Sequence, residues 1–171
     1  PKSQLLFQQI LLYLMKTLVY VIGKSSRRNM LGVKSLSNFM STSCCALLFI
    51  DWQEKLFPAM PEGLRDQNLR NAENLVWLAR ELSVPVVFSE QYPKGLGPTI
   101  SSLEPVKAVE KVSFSAYESE QFVGLVQATN RPTMIISGME THVCVAQTAK
   151  GLSKAGYNVV VATDAVLSRK K

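Results

Sequence analysis

The sequence predicts an α/β fold in which a parallel sheet carries helices on both faces. Short apolar runs alternate along the chain with amphipathic stretches that have helical spacing. This alternation is typical of parallel strands joined by right-handed helical crossovers. A chain of 171 residues with 47% apolar side chains is also long enough for one domain with a buried core.

The first two strands are separated by one amphipathic helix. Residues 45–50 form an uninterrupted apolar run that ends at Asp51, as expected for a strand covered on both faces. Residues 68–82 place apolar side chains at helical spacing and therefore predict a helix. Residues 85–89 predict a second buried strand, and the prolines and glycines of residues 92–98 predict a loop after it.

The same alternation continues to the end of the chain. The remaining elements are expected to be a strand at 108–115, a helix at 117–128, a strand at 133–138, a helix near 142–155 and a strand at 158–163. Gly156 marks the end of the last helix, because glycine is favoured just after a helix C-terminus.

Residues 1–42 differ in composition and are predicted to be a basic extension to a folded domain at residues 43–171. Residues 1–50 hold six basic and no acidic side chains, whereas residues 51–171 hold 13 of each. The neutral body argues against a nucleic-acid surface there. Three origins fit the extension: a segment translated upstream of a start at Met40, an organelle-targeting peptide, or a helix that binds a membrane or partner.

The position of Cys144 in the sequence suggests a reactive, catalytic thiol. Cys44 and Cys45 are adjacent, so the three cysteines do not suggest a disulfide framework, and a reducing cytoplasmic compartment is expected unless the extension directs the chain to mitochondria or another organelle. Cys144 would lie in the first turn of a helix after the fourth strand, where the helix dipole is expected to lower the thiol pKa. Active sites of such sheets lie at the carboxyl ends of strands.

Asp51, Lys111 and Cys144 are each placed at or after a different strand, so they are expected to meet. A carboxylate that ends a buried strand needs a cation, which Lys111 would supply while also lowering the thiol pKa. A base, a cation and a thiol are the parts of a nucleophilic acyl-transfer site. Each residue alone has an ordinary structural explanation, so the prediction depends on all three occurring together.

Four segments resemble the isochorismatase-like cysteine hydrolases. Residues 46–54, 110–115 and 137–145 contain Asp51, Lys111 and Cys144, and residues 90–99 resemble the isochorismatase domain-containing subgroup. The resemblance covers residues 43–169 and implies a three-layer, Rossmann-like parallel sheet.

The resemblance also bears on the far edge of the sheet. It implies that the family's last helix and strand would follow residue 169, where this chain has only two more residues. The edge of the sheet is therefore expected to be bare, and two explanations stay open: residues 5–23 cover it as a packed helix, or the sequence is incomplete at its C-terminus.

The resemblance implies that Asp51, Lys111 and Cys144 form a catalytic triad that hydrolyses an amide or related C–N bond of a small molecule. The cysteine would attack the carbon to form a thioester-type intermediate, the aspartate would carry the proton, and the lysine would hold the charged pair together. A non-proline cis peptide is implied between Met139 and Glu140, and it would aim backbone N–H groups at an oxyanion. A catalytically silent binding or scaffold protein with the same fold is the alternative.

No cofactor and no metal are expected. Nicotinamidases of this family bind a metal through an aspartate and two histidines, whereas this chain has only His142, beside the nucleophile. True isochorismatases lack the nucleophilic cysteine, so neither activity is expected. The expected partners are a small-molecule substrate and further copies of the chain, with no nucleic acid and no membrane for the folded domain. Dinucleotide binding is disfavoured because no Gly-x-Gly-x-x-Gly turn follows the first strand.

Aromatic side chains near the motifs are candidates to line a substrate pocket, with ordinary packing as the alternative. They are Trp52, Tyr92, Phe114 and Tyr117.

Overall fold

The structure, a computed structural model, describes residues 41–169 and the backbone of residues 20–22. Within them one sheet contains the strands β1 (Tyr20–Ile22), β2 (Cys45–Ile50), β3 (Val86–Gln91), β4 (Ala108–Lys111), β5 (Thr133–Met139) and β6 (Asn158–Leu167). The strand order is β1-β6-β5-β2-β3-β4. β2 to β6 pair parallel with one another, and β1 pairs antiparallel with β6. The predicted parallel sheet is confirmed.

Helices cover both faces of this sheet. They are α1 (Glu62–Glu81), α2 (Pro93–Leu96), α3 (Glu120–Ala128) and α4 (Ala146–Lys154), the last preceded by a π-helical turn (Thr141–Val145). Short 3₁₀ turns lie at Phe57–Ala59, Ser101–Leu103 and Ala116–Glu118. α1 packs on one face, and α3 and α4 pack on the other. The three-layer arrangement is therefore confirmed.

The centre of the sheet is β2, which runs between β3 and β5. All six of its residues are buried. Because successive strand residues point to opposite faces, the odd-numbered side chains join the core under α1 and the even-numbered ones join the core under α3 and α4. Full burial of each large apolar side chain contributes about 1.5–3 kcal/mol, so this strand is a rigid base for the residue that follows it.

Element boundaries differ from the sequence prediction where the sheet ends. β4 stops at Lys111 instead of continuing to residue 115, and the chain then turns so that the carbonyls of Ser113 and Phe114 face the lysine ammonium. α1 begins at Glu62, six residues before the predicted start at residue 68, because its first turn is exposed and lacks the apolar spacing on which the prediction depends. The helix after β5 starts through the π-helical turn, and its Val145 N–H donates to the Glu140 carbonyl at 3.2 Å.

The strand β1 changes one expectation about the N-terminal extension. A packed helix over residues 5–23 is one of the alternatives that the sequence leaves open, but Tyr20–Ile22 instead pair as a strand with residues 159–161 of β6. At these three residues the helix prediction is wrong, because the open edge of β6 presents backbone N–H and C=O groups that a strand can pair and a helix cannot. The other residues of that stretch lie outside the described part of the chain.

None of the helices in the described ranges has the length and hydropathy needed to span a bilayer. The domain boundary after residue 42 and the cellular compartment stay predictions.

Candidate active site

Asp51 and Lys111 form a buried ion pair at the carboxyl ends of β2 and β4. Lys111 Nζ lies 2.6 Å from Asp51 Oδ2, and the exposed fractions of the two side chains are 1% and 0%. Ser89, on the intervening strand β3, donates its hydroxyl to Asp51 Oδ1 at 2.7 Å. Both carboxylate oxygens therefore have a donor, which a buried carboxylate needs because an unpaired one is strongly destabilising.

The Lys111 ammonium is surrounded by oxygen atoms. Besides Asp51, it lies 2.7 Å from Gln91 Oε1, 3.2 Å from the Ser113 carbonyl and 3.3 Å from the Phe114 carbonyl. An ammonium has only three protons, so the two more distant carbonyls share the one proton that the closer Asp51 and Gln91 oxygens do not accept. The turn after β4 therefore holds the ammonium in a fixed position.

Cys144 lies beside this pair, in the π-helical turn that follows β5. The residue is 7% exposed. Its thiol is hydrogen-bonded to the Asp51 carboxylate, and the backbone N–H of Glu140 donates to its sulfur. The structure thus brings together Asp51, Lys111 and Cys144, which are up to 93 positions apart in the sequence.

Burial raises the pKa of the Cys144 thiol to about 12. That value includes a second increase from the negative charge of Asp51 and smaller decreases from the Lys111 ammonium and the Glu140 N–H. Lys111 lowers the thiol pKa as expected, but the expectation that the net pKa of Cys144 is lowered is wrong, because burial next to a carboxylate outweighs the ammonium. The resting sulfur is a neutral thiol that donates a hydrogen bond to Asp51.

The segment before the nucleophile has the backbone that the resemblance implies. The peptide bond between Met139 and Glu140 is cis. Met139 is fully buried at the end of β5, and Glu140 directs its N–H towards the Cys144 sulfur. Gly138 lies just before them, and a Cβ there would be 2.4 Å from the Ile50 carbonyl oxygen, so glycine is required for β5 to approach β2.

The end of β6 is joined to this same segment. The Glu140 carboxylate lies 2.5 Å from both Nε and Nη2 of Arg169, and His142 Nδ1 is 3.8 Å from it. The Thr141 hydroxyl donates to the Leu167 carbonyl at 2.9 Å, so this side chain fastens two elements and does not cap the helix.

A cleft of about 580 Å³ opens beside Lys111. It is lined by Tyr92, Pro93, Lys94, Glu110, Lys111, Val112, Ser113, Glu118 and Ser119. Of the predicted triad, Lys111 alone contributes to this lining. The lining carries charges of both signs together with an aromatic ring, so it suits a small polar ligand.

The four aromatic candidates are placed differently. Tyr92 is 56% exposed and lines the cleft. The Phe114 side chain is 59% exposed, and the backbone carbonyl of the same residue faces Lys111. Trp52 has no exposed surface, and its indole N–H donates to Ser137 Oγ at 2.9 Å. This corrects the expectation that Trp52 lines the pocket, because a side chain enclosed in the core offers a ligand no surface.

Tyr117 also lies outside the cleft lining. Its ring packs edge-on against Tyr157, with 6.2 Å between the ring centroids. Its partial burial raises its pKa. Tyr117 is therefore a packing residue in this structure, as the alternative expectation had it.

Three polar residues that the sequence analysis missed complete the network. Ser89 and Gln91 contact Asp51 and Lys111, as described above. Gln53 is fully buried, accepts from the Gln91 N–H at 2.8 Å, and donates to the carbonyls of Gln91 at 3.1 Å and Gly97 at 2.7 Å. The sequence signal that could have identified these three residues is a polar side chain at, or just after, the end of an apolar strand segment.

Among the described residues, no three His, Cys, Asp or Glu side chains are grouped closely enough to hold a metal ion.

The isochorismatase domain model matches residues 45–171. The chain belongs to the isochorismatase family. Isochorismatase domain-containing protein 2 of Danio rerio is 36% identical over 132 residues, which are 76% of this chain and 66% of that protein. Isochorismatase domain-containing protein 1 of Danio rerio is 33% identical over 142 residues, or 81% and 49% of the two chains. The chain therefore spans about half to two thirds of the length of these relatives.

Solved structures of the family have the same fold. The MAR1 ribonuclease of Caenorhabditis elegans superposes with a TM-score of 0.70 at 32% identity, covering 77% of this chain and 68% of that one. YcaC of Escherichia coli, described as an octameric hydrolase of unknown specificity, has a TM-score of 0.71 at 26% identity and covers 76% and 67%. YcaC of Pseudomonas aeruginosa, solved with covalent acrylamide, has a TM-score of 0.71 at 27% identity and the same coverage. Membership of this family supports a hydrolase-type function.

Proposed function

We propose that this chain is a cysteine hydrolase that cleaves an amide or related C–N bond of a small molecule, using Asp51, Lys111 and Cys144 as its catalytic residues. The observation that carries the proposal is the contact of a neutral Cys144 thiol with a buried carboxylate whose charge is balanced by an ammonium 2.6 Å away. A thiol, a base and a cation in this arrangement are what nucleophilic attack on a carbonyl carbon requires.

The raised thiol pKa supports a role for Asp51 as the base. Because the resting sulfur is protonated, the S–H proton passes to the Asp51 carboxylate as the sulfur bonds to the carbonyl carbon, and the carbonyl π electrons move to oxygen. The Glu140 N–H, which contacts the sulfur, is positioned to donate to that oxygen. Lys111 keeps a positive charge next to Asp51 throughout the proton transfer.

The remaining steps reuse the same groups. The oxyanion re-forms the carbonyl, the C–N bond breaks, and the leaving nitrogen takes the proton from Asp51, which leaves a thioester on Cys144. Asp51 then accepts a proton from a water molecule as that water attacks the thioester carbon. Collapse of the second intermediate releases the acid and returns the proton to the thiol.

A catalytically silent scaffold explains this site less well. A buried ion pair is often no more stabilising than apolar residues of the same volume, so stability alone gives little reason for one. A buried thiol with a perturbed pKa beside a charged pair, as at Cys144, is typical of functional sites. The relative solved with covalent acrylamide offers a parallel for covalent bonding, which we extend to Cys144 of this chain.

The test is a panel of small amides and esters assayed with the wild-type chain, Cys144→Ala and Cys44→Ala. Cys44 is a free, partly exposed cysteine outside the site, so its variant controls for general effects of thiol loss. We expect turnover to vanish in Cys144→Ala and to persist in Cys44→Ala. Turnover that survives in Cys144→Ala would refute the cysteine mechanism, and a wild-type chain inert to the whole panel would favour the scaffold.

An RNA substrate belongs in the same panel because one solved relative is named a ribonuclease. We expect no cleavage of RNA. Residues 51–171 hold equal numbers of acidic and basic residues, and a neutral body lacks the positive field that attracts a polyanion.

We also propose that the chain self-associates, in parallel with the relative described as octameric. Three apolar side chains near Lys111 are well exposed: Tyr92 (56%), Val112 (82%) and Phe114 (59%). Sedimentation analysis of Val112→Lys should show weakened association, whereas Val106→Lys, at a 95% exposed position before β4, should behave as wild type. A monomeric wild-type chain, or equal behaviour of both variants, would contradict this idea.

A further inference from the structure

We propose that Gln91 is a positioning residue that holds the Lys111 ammonium against Asp51, within reach of the Cys144 sulfur. This inference rests on the function proposed above. Gln91 itself touches neither the sulfur nor the Asp51 carboxylate in any contact of the described residues, so its effect passes through Lys111.

The Gln91 side-chain amide makes two hydrogen bonds, one to the Lys111 ammonium and one to the backbone of the next residue. Its Oε1 accepts from Lys111 Nζ at 2.7 Å, and its Nε2 donates to the carbonyl of Val112 at 2.8 Å. Gln91 and Lys111 are also direct partners in the parallel pairing of β3 with β4. The orientation of the amide is fixed, because a flipped amide would turn its NH₂ group towards the ammonium and its oxygen towards a carbonyl.

The backbone of Gln91 is in turn held by the residue that lies two positions after Asp51. Gln53 bonds both the N–H and the carbonyl of Gln91, and it has no exposed surface. A closed ring therefore runs from Asp51 along the chain to Gln53, across to Gln91, on to Lys111 and back to Asp51. The ring fixes the ammonium relative to the carboxylate independently of their direct contact.

A neutral amide suits this position better than a charged group. The Lys111 ammonium balances the Asp51 charge and favours the thiolate of Cys144. Loss of the amide leaves the ammonium with Asp51 and two carbonyls beyond 3.1 Å, so it can drift or take up water. A carboxylate there would divide the ammonium between two anions. Both changes leave more negative potential at the sulfur and make the thiolate harder to form.

Among the described residues, the other charged or titratable groups around Cys144 lie on its own segment and at the end of β6. These are Glu140 and His142, with Arg169 paired to Glu140. None of them contacts Gln91 among the described residues, so substitution of Gln91 leaves them in place.

The experiment measures alkylation of Cys144 by iodoacetamide in the full chain between pH 7 and pH 10, with the modified peptide quantified by mass spectrometry. The variants are Gln91→Met, which removes both hydrogen bonds at similar volume, and Gln91→Glu, which keeps the shape and adds charge. Gln127→Met and Gln127→Glu, at an exposed position in the last turn of α3, are the matched controls.

We expect the curve of log rate against pH to move to higher pH in both Gln91 variants, with about a tenfold slower reaction at a given pH for each unit of pKa increase. The Gln127 variants should follow the wild-type curve. If Gln91→Met does not fold, the comparison is made with Gln91→Glu alone. Wild-type alkylation curves in folded Gln91 variants would overturn the positioning role.

This readout separates the inference from the proposed function. Alkylation needs no substrate, so a chain that turns over nothing but shows the shifted curve would support the positioning role and refute the hydrolase. With an active substrate in hand, the Gln91 variants should lose kcat with little change in KM, because the residue does not line the cleft.

Discussion

Replacing Lys111 with methionine should strongly destabilise the protein, because it leaves the Asp51 carboxylate buried without a cation to balance its charge. The two side chains are 1% and 0% exposed, and 2.6 Å separate their charged atoms. At that distance the attraction is about 6 kcal/mol for an effective dielectric constant near 20. Part of this attraction offsets desolvation, and breaking a buried pair costs about 3–5 kcal/mol.

Urea unfolding at pH 7 measures this cost. We expect Lys111→Met to lose about 3–5 kcal/mol, and the double variant Asp51→Asn/Lys111→Met to recover most of it because no unpaired charge remains. Glu104→Gln is the matched control, since it removes an ion pair with Arg80 that is also 2.6 Å long but has side chains 35% and 75% exposed. That exposed pair should contribute less than about 1 kcal/mol.

A Lys111→Met variant within about 1 kcal/mol of wild type, like the loss expected for the exposed pair, would contradict the cost assigned to the unpaired carboxylate. A double variant no more stable than Lys111→Met would equally show that unpaired charge is not the cause. Either result would mean that the carboxylate and ammonium are not desolvated together, and the proposed proton transfer would lose its basis.

Two further perturbations test the surroundings of the site. In the folded protein the thiols of Cys45 and Cys144 have pKa values raised to about 12, so the contribution of these protonated thiols to the free energy of unfolding is complete below about pH 9 and is lost as the pH rises towards 12. Urea unfolding should show this free energy falling by up to about 1.4 kcal/mol per pH unit and thiol. The fall should be less steep in Cys45→Ala. Gly138→Ala should destabilise the chain and abolish turnover, because the added Cβ would lie 2.4 Å from the Ile50 carbonyl oxygen. Gly124→Ala is the control on α3, where an added Cβ would meet no atom within 4 Å, and it should stabilise the chain by up to about 1 kcal/mol. Equal melting temperatures for the two variants would contradict the close approach of β5 to β2.

The sheet could be predicted because its signals are local. The apolar run that became β2 and the spacing that became α1 reflect burial on two faces and on one face, and each is visible in a short window of sequence. Boundaries were less predictable: β4 ends at Lys111 because the following carbonyls turn towards the ammonium, which is a tertiary contact. Tyr20–Ile22 became a strand because β6 had an open edge to pair with.

The family, the parallel sheet and the three residues that meet at its carboxyl end could be read from the chain alone, since strand–helix alternation and motif chemistry are patterns along it. The protonation of Cys144, the enclosure of Trp52 and the contact of Gln91 with Lys111 became visible in the folded molecule. Each of these depends on what surrounds a side chain from other strands. The thiol shows why: burial and the Asp51 charge compete with the Lys111 ammonium, and the outcome depends on distances that no spacing along the chain contains.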